Sequence, residues 1–579
     1  MKTIQYFNIV FLSVICFASV HAQSNLDREL TLEREYNPSL RDANKINSLP
    51  QIKEPEAPRT KVEFSDYTLD YNMAPYITSL KAKSYFSDYA AHNKKGYLNL
   101  GVSSLIDLDG DLGYQVLNTR KNRLSLYYSH RSSNSKVTYL QKDEKQKMKL
   151  NDHTFGIDFN HFFDKAKLAA DLEYTNAGFN YYGLSSHVDK NKTQSDNLFR
   201  AHLGIYSINS TNLSYKLNLH YTFFKQKHAV ITDLTGDGRK ENRLFADFDF
   251  NAPFNSTVKF GLGGYIKHSM YDISPDIFTT NTEDKIQGNK DYTALSGNPY
   301  FLFEGSNWNT RLGVSINTWF GGIKKFMLAP DIKFNWYPVE SVLFYIRATG
   351  GFEDNSNYNM FYRNRYIDPN YRIYDSRIPV DGTVGVNFVV FPNFNMEFFG
   401  GFKMAKDEHF FIDNSYYGST IVPLYAESQT FKFGGALNYA YRDIFNIGTK
   451  LTFYKWDTKE ISGLYKDTTY DNNDYLKAWN KPNFEGDVFA GFKIPSAPLR
   501  FDANYHIETG RKALTENGMN IVSQKMKNIH SLNLKANYSV NDSFSVFAQA
   551  NNLLNQKYDL WYGYPVQKIN IIGGISIKF

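Results

Sequence analysis

The chain has a single cysteine, Cys16, and it lies in a leader that an exported protein loses. In "MKTIQYFNIVFLSVICFASVHAQS", Lys2 precedes an apolar run from Phe7 to Val20, and Val20, His21 and Ala22 supply the small-residue spacing before Gln23. Residues 1–22 therefore read as a secretory signal peptide cut after Ala22. Val14 and Ile15 occupy positions where a lipid-modified leader carries small residues, which argues against lipidation at Cys16. Without cysteine, the exported chain has no disulfide framework and no thiolate metal site. Also missing beyond the leader is any run of about 18 apolar residues, which excludes a transmembrane helix. Charge of one sign is lacking too: 65 Lys and Arg stand against 59 Asp and Glu, mixed along the chain, for a net charge of +6. No basic stripe results, so nucleic acid is set aside as a partner. The 13 histidines form neither HExxH nor HxxEH, and no motif calls for a cofactor or for catalysis.

What is present is aromatic and periodic. Tyr and Phe number 43 and 46, while charged residues still make up 21% of the chain, a mixture that suits strands with one oily and one wet face. In "LSYKLNLHYTFF", Leu213, Tyr215, Leu217, Leu219, Tyr221 and Phe223 alternate with Ser214, Lys216, Asn218, His220 and Thr222. A period of two is a strand. The pattern recurs in "SLNLKANYSV", where Leu532, Leu534, Ala536, Tyr538 and Val540 form the apolar row. It recurs again in "FDANYHIE", where Phe501, Ala503, Tyr505 and Ile507 oppose Asp502, Asn504, His506 and Glu508. At about ten residues, such strands are long enough to cross a bilayer at a tilt.

Connections decide between a soluble sandwich and a membrane barrel. Short links at residues 337–341, 391–395, 441–446, 495–498 and 540–543 alternate with long polar ones at 132–150, 178–196, 271–290, 354–379 and 407–427. Short periplasmic turns alternating with longer outer loops are the rule of an up-and-down barrel in the cell outer membrane. Counted from Gly96, the connections predict an all-β, antiparallel transmembrane barrel of about 22 strands over residues 96–579. Residues 23–95, with Pro38, Pro50, Pro55, Pro58 and Pro75 and no sustained period, read as an extended periplasmic or lumenal arm.

At "NLLNQKY" the sequence resembles a known family. Asn552, Leu553, Leu554, Asn555, Lys557 and Tyr558 are similar to the penultimate-strand motif of TonB-dependent receptors, which are outer-membrane transporters with 22-stranded barrels. The ending "INIIGGISIKF" is similar to their last strand, although "YPVQK" keeps only Pro565 of the Pro-Gly-Arg that commonly precedes it. The resemblance implies a transport barrel, with outer-membrane lipid and the barrel-insertion machinery as its partners. It also implies a lumen-filling plug, for which residues 23–95 are too few. A barrel this wide is not filled by its own wall, so the arm, the loops or a partner is expected to occlude it. "RELTLER", residues 28–34, resembles the short segment through which such receptors pair with their energising protein.

Each candidate site has a plainer reading beside it. Asp502, Asn504, His506 and Glu508 put carboxylates beside an imidazole, a pairing that can tune proton transfer, but a hydrated lumen wall accounts for them. "DLTGDG", residues 233–238, offers Asp233 and Asp237 to calcium, yet lacks the full ligand series and reads as a turn. "DLDGD", residues 107–111, reads as the first hairpin tip. "GLGGY", residues 261–265, sits inside an alternating stretch and cradles no phosphate. In the last strand Ile569, Ile571, Ile575, Ile577 and Phe579 are expected to face lipid, close the barrel against the first strand and present an assembly signal at the terminal Phe. Transport across the outer membrane is thus the expected function. The alternative is a structural or assembly subunit that binds a periplasmic or surface lipoprotein or a secretion machine.

Overall fold

The computed structural model describes residues 94–184, 188–208, 212–230, 235–272, 291–321, 325–369, 375–414, 420–462, 475–517 and 520–579. The predicted signal peptide, nearly all of the arm and the segment 28–34 lie outside the described residues.

Within them the chain forms a 22-stranded antiparallel sheet, each strand paired with its sequence neighbours. It closes on itself where the first strand, Gly96–Ser103, pairs with the last, Asn570–Lys578, from Tyr97 against Lys578 to Ser103 against Ile572. Closure leaves no unpaired edge, the condition for placing strands in hydrocarbon.

The faces follow the period. On Trp308–Phe320, Leu312, Val314 and Ile316 are exposed while Ser315 and Asn317 are buried. The exposed row continues around the ring through Leu172, Leu203, Leu219, Leu244, Phe260 and Leu534. In water such a surface is prohibitively apolar, whereas against lipid it is the stabilising one. Inside, the wall is polar and cross-linked: Tyr127 donates to Glu173 at 2.8 Å, Tyr300 to Asp249 at 2.6 Å, and Arg311 pairs with Asp331 at 2.7 Å.

The short connections are as tight as their sequences suggest: only residues 340–341 and 392–393 separate two of the strand pairs. Three of the expected connections need correction. The loop expected at 132–150 shrinks to 139–144, because Asn122–Thr138 and Lys145–Phe162 keep pairing through polar residues. The loop expected at 407–427 is mostly strand, since Phe394–Asn414 and Thr420–Tyr441 pair as far as Asn414 and Thr420. In the first place the strands leave the lipid and continue, so their outward row loses the apolar signature while the ladder persists; in the second the strands continue with both faces buried. The first hairpin tip is residues 104–107, with Ser103 Oγ accepting from the Leu105 and Asp107 amides, and Asp109 and Asp111 already belong to the second strand, Leu108–Asn118.

Candidate functional site: a cap across the barrel mouth

The long connections gather at one end, which the rule of outer-membrane barrels makes the outer one, and there they pack against each other. The hairpin of Phe394–Asn414 and Thr420–Tyr441 starts the cap. Its register shifts between Ala405 and Glu408, and Asp407 within that bulge has a φ of 56°. Aspartate tolerates this left-handed conformation better than most residues, and a bulge bends its strand. Asp407 also fixes the bend through its side chain: it accepts from Arg377 Nε at 3.0 Å and Ser462 Oγ at 2.5 Å, while its carbonyl accepts from Ser376 Oγ at 2.7 Å. Beyond the bulge, Glu408, His409, Phe410, Phe411 and Ile412 are all buried. One face, with Phe411 and Ile421, joins the aromatic centre of the cap, and the other, with Phe410, Ile412 and Leu424, packs on Tyr475, Trp479 and Leu514.

The connection 354–375 supplies the crossing piece. Tyr358, Phe361 and Tyr362 recur at helical spacing, and Asn357–Arg363 is a short helix, capped by Ser356 accepting from the Asn359 amide. Its start is tied to the wall: Glu241 accepts from the Asn357 amide at 2.7 Å, Arg243 pairs with Asp354, and Lys267 pairs with Asp354 at 3.3 Å and Asp375 at 2.5 Å. Burial raises the Asp354 carboxyl, but Lys267 and Arg243 outweigh it and hold the group at about 2. After the helix the chain runs across the mouth. Arg365 donates to both oxygens of Asp152 at 3.1 and 3.0 Å, and the Ile367 carbonyl accepts from Tyr181. Ile367 bridges to Ile421, and the Asp368 amide donates to the Ile421 carbonyl at 2.9 Å. Tyr181 follows the fifth strand, Ala166–Phe179, and Ile421 is on the sixteenth of 22, so one short stretch joins opposite sides of the ring.

Aromatic contacts complete the layer. Tyr366 stacks on Tyr564 at 4.3 Å and meets Tyr182 and Phe179 edge-on at 5.4 and 5.9 Å. Phe411 meets Trp561 at 5.0 Å, and Phe361 stacks on Phe224 at 5.3 Å. Aromatic pairs add about 0.5–1.5 kcal/mol each beyond their burial. Below the cap, beside the seam, lies a cavity of about 70 Å³ lined in part by Asp107, Arg131, Arg365, Asn551 and Gln567. Asn551 Nδ2, buried there, has no hydrogen-bond partner among the described residues, and a polar space of this size accommodates ordered water.

The residues singled out in the sequence lie elsewhere. The motif from Asn552 to Tyr558 falls not in the penultimate strand, Phe544–Asn551, but in the turn after it. Asn552 and Asn555 both have left-handed φ, 48° and 49°, which explains asparagine at these two places. Asn552 Nδ2 donates to the Gln556 and Gln567 carbonyls, both at 2.9 Å, and Asn555 Oδ1 accepts from the Ile569 amide at 3.2 Å. Leu553, Leu554 and Lys557 are exposed, whereas Tyr558 is buried. Ile569 stands just before the last strand rather than in it; Ile571 is exposed, Asn570 and Ile572 are buried, and Ile575 and Ile577 share the row of Ile571.

Asp502, Asn504, His506 and Glu508 share one face of Leu499–Thr509, opposite exposed Phe501. Asp502 is held by Arg500 at 2.8 Å, and His506 lies between Asp487 at 2.9 Å and Glu508 at 3.2 Å, with Arg511 beyond. Each charge has its partner in the wall, so the row reads as structure. Residues 235–237 pair with His228–Val230 as a small outer hairpin. Among the described residues no three His, Cys, Asp or Glu side chains converge as a metal site.

Sequence reasoning expected the arm, the loops or a partner to fill the lumen, but did not find the residues that build the cap. Its signal was legible in "NYNMFYRNRY" and "YDLWYGYP", where outer connections carry far more aromatic surface than solvated loops need.

A closed ring of 22 strands, apolar outside and polar within, with no helix among the described residues long and apolar enough to cross a membrane, is a β-barrel of the outer-membrane type. Solved structures to which the chain is similar in fold include iron and siderophore receptors. The FrpB iron transporter from Neisseria meningitidis superposes with a TM-score of 0.62 at 11% identity, over 84% of this chain and 82% of that one. The siderophore receptor PirA from Acinetobacter baumannii gives 0.62 at 11% identity, over 84% and 80%. The ferripyoverdine receptor of the outer membrane of Pseudomonas aeruginosa gives 0.59 at 11%, over 84% and 72%. At this identity the likeness is one of fold. No protein-family model and no curated protein matches the chain.

Proposed function

We propose that this protein is a transport barrel of the TonB-dependent-receptor type whose lumen is occluded at the outer mouth by its own connections. The observation that carries this reading is the stretch from Arg365 to Asp368, anchored to Asp152 on one side of the ring and to Ile421 on the other. A polar, ion-paired wall beneath it supports passage of a hydrophilic solute once the cap moves, and the arm is a second occupant of the same space. Outer-membrane lipid and the barrel-insertion machinery are its proposed partners.

Conductance in planar bilayers tests the reading with three proteins: the full chain, a chain lacking residues 24–94, and an Arg365→Ala/Tyr366→Ala variant. The expected result is a silent full chain and a conducting variant, with the arm deletion showing how much the arm adds. Silence in all three, with a polypeptide partner recovered after gentle detergent extraction, would replace transport by the structural or assembly role.

A further inference from the structure

Above the lipid belt the third and fourth strands rise on, and their two faces differ in kind. Inward, Ser133, Ser135, Val137 and Met148 are buried; outward, Asn134, Lys136, Lys145 and Lys147 are exposed and Lys149 lies alongside. Lys136 and Lys147 are direct cross-strand partners, and like charges placed opposite one another destabilise a sheet. Among the described residues no acidic group pairs with Lys136, Lys145 or Lys147. Lys149 Nζ donates to the Asn191 carbonyl at 2.5 Å, whereas Lys190 turns to the cap and donates to the hydroxyl of buried Tyr139 at 2.8 Å. The nearby acids are few and engaged: Glu144 pairs with Lys142 at 2.5 Å, and Asp189 accepts from the Asn191 amide at 3.0 Å, leaving Asp143.

Height and direction narrow the ligand. The exposed apolar row on these strands ends at Tyr128 and Phe155. At about 3.3 Å per residue along strands tilted by roughly 40°, Lys149 and Lys136 stand roughly 15–20 Å above that edge. They point sideways from the wall, into the layer occupied by the sugars of the surrounding leaflet. Protein interfaces concentrate aromatic anchors and deplete lysine at their centres, whereas this face has lysine rows and no apolar anchor. Lysine is a point-charge binder of phosphate.

We propose that this lysine face binds the phosphate-bearing sugars of the outer-leaflet glycolipid. The contact holds lipid beside the third and fourth strands and offsets the repulsion between Lys136 and Lys147.

The test uses the full chain and two variants, one with Lys136→Gln, Lys145→Gln, Lys147→Gln and Lys149→Gln together, the other with the same four positions changed to arginine. All four side chains are outside the packed cap, and heat-modifiable mobility verifies folding. Binding is measured to lipopolysaccharide micelles, intact or dephosphorylated, across a salt series. With each basic residue near an anionic surface contributing about 1 kcal/mol, the glutamine variant should bind intact micelles at least about tenfold more weakly. The arginine variant should bind as the parent does, and dephosphorylated micelles should bind all three proteins weakly and equally. Equal binding of intact micelles by the parent and the glutamine variant would overturn the proposal. So would indifference of the parent to dephosphorylation, or the parent carrying an acidic polypeptide and no glycolipid on this face.

Discussion

The same strands obey two different packing rules at two heights. In the belt, Leu312 and Val314 face lipid and Ser315 faces the wet interior, so one residue in two is apolar and the ladder is easily seen in the sequence. In the outer part, Phe410 and Phe411 are neighbours on one strand and both are buried, because the bent hairpin has protein on each side. The solvent around a strand, more than the strand itself, sets its sequence pattern.

The largest effect expected from breaking this contrast is in the cap. Trp561→Ala or Tyr564→Ala removes a buried aromatic from its centre, at a cost of about 3–5 kcal/mol. Hydrogen exchange should quicken in residues 354–369 and 405–426, and leave the belt strands unchanged; exchange that rises equally in both regions would show that cap and wall are one cooperative unit. Leu312→Arg attacks the other region, where an arginine near the bilayer midplane costs about 2–4 kcal/mol. Denaturant unfolding of the barrel in lipid should shift by that amount, with no added conductance.

A third change tests the seam. The Phe579 ring lies over Gly96 and stacks on Tyr114 at 6.2 Å, while the backbones of Gly96 and Phe579 exchange hydrogen bonds of 2.7 and 3.0 Å. Gly96→Val overfills that site at about 1–3 kcal/mol, and removing Phe579 empties it. Either should lower the amount of folded, heat-modifiable barrel, and unchanged levels would remove the proposed closure and assembly role of the last strand. The smallest effect is that of acid. Asp354 is held below its unfolded value of about 3.9, so its contribution to the cap is complete above pH ~4 and is lost as pH falls toward about 2. Asp375, pushed up by burial, works in the opposite sense. Cap exchange should therefore quicken modestly over that interval, and Asp354→Asn should remove that quickening.

The barrel was legible because a lipid-facing strand must alternate, and the turn lengths counted the strands. The motif around Asn552 was legible as a resemblance, but its reason was not: two left-handed asparagines clamping a turn are a property of φ angles, which residue patterns show only indirectly. The contacts that build the cap were illegible for a different cause, although its aromatic surplus was on view. Arg365 and Asp152, or Tyr366 and Tyr564, are far apart in the chain, and no local period announces that they meet. Histidine and carboxylate at alternate positions, as in His506 and Glu508, suggested chemistry, whereas cross-strand partners absorbed their charges.

Because Asp407 turns a wall strand into part of its own lid, the lid is covalently continuous with the wall and has no separate body to dissociate. Opening by this route is local melting: the conductance of the barrel and the thermal transition of the cap should trace one curve, with a single enthalpy and one midpoint.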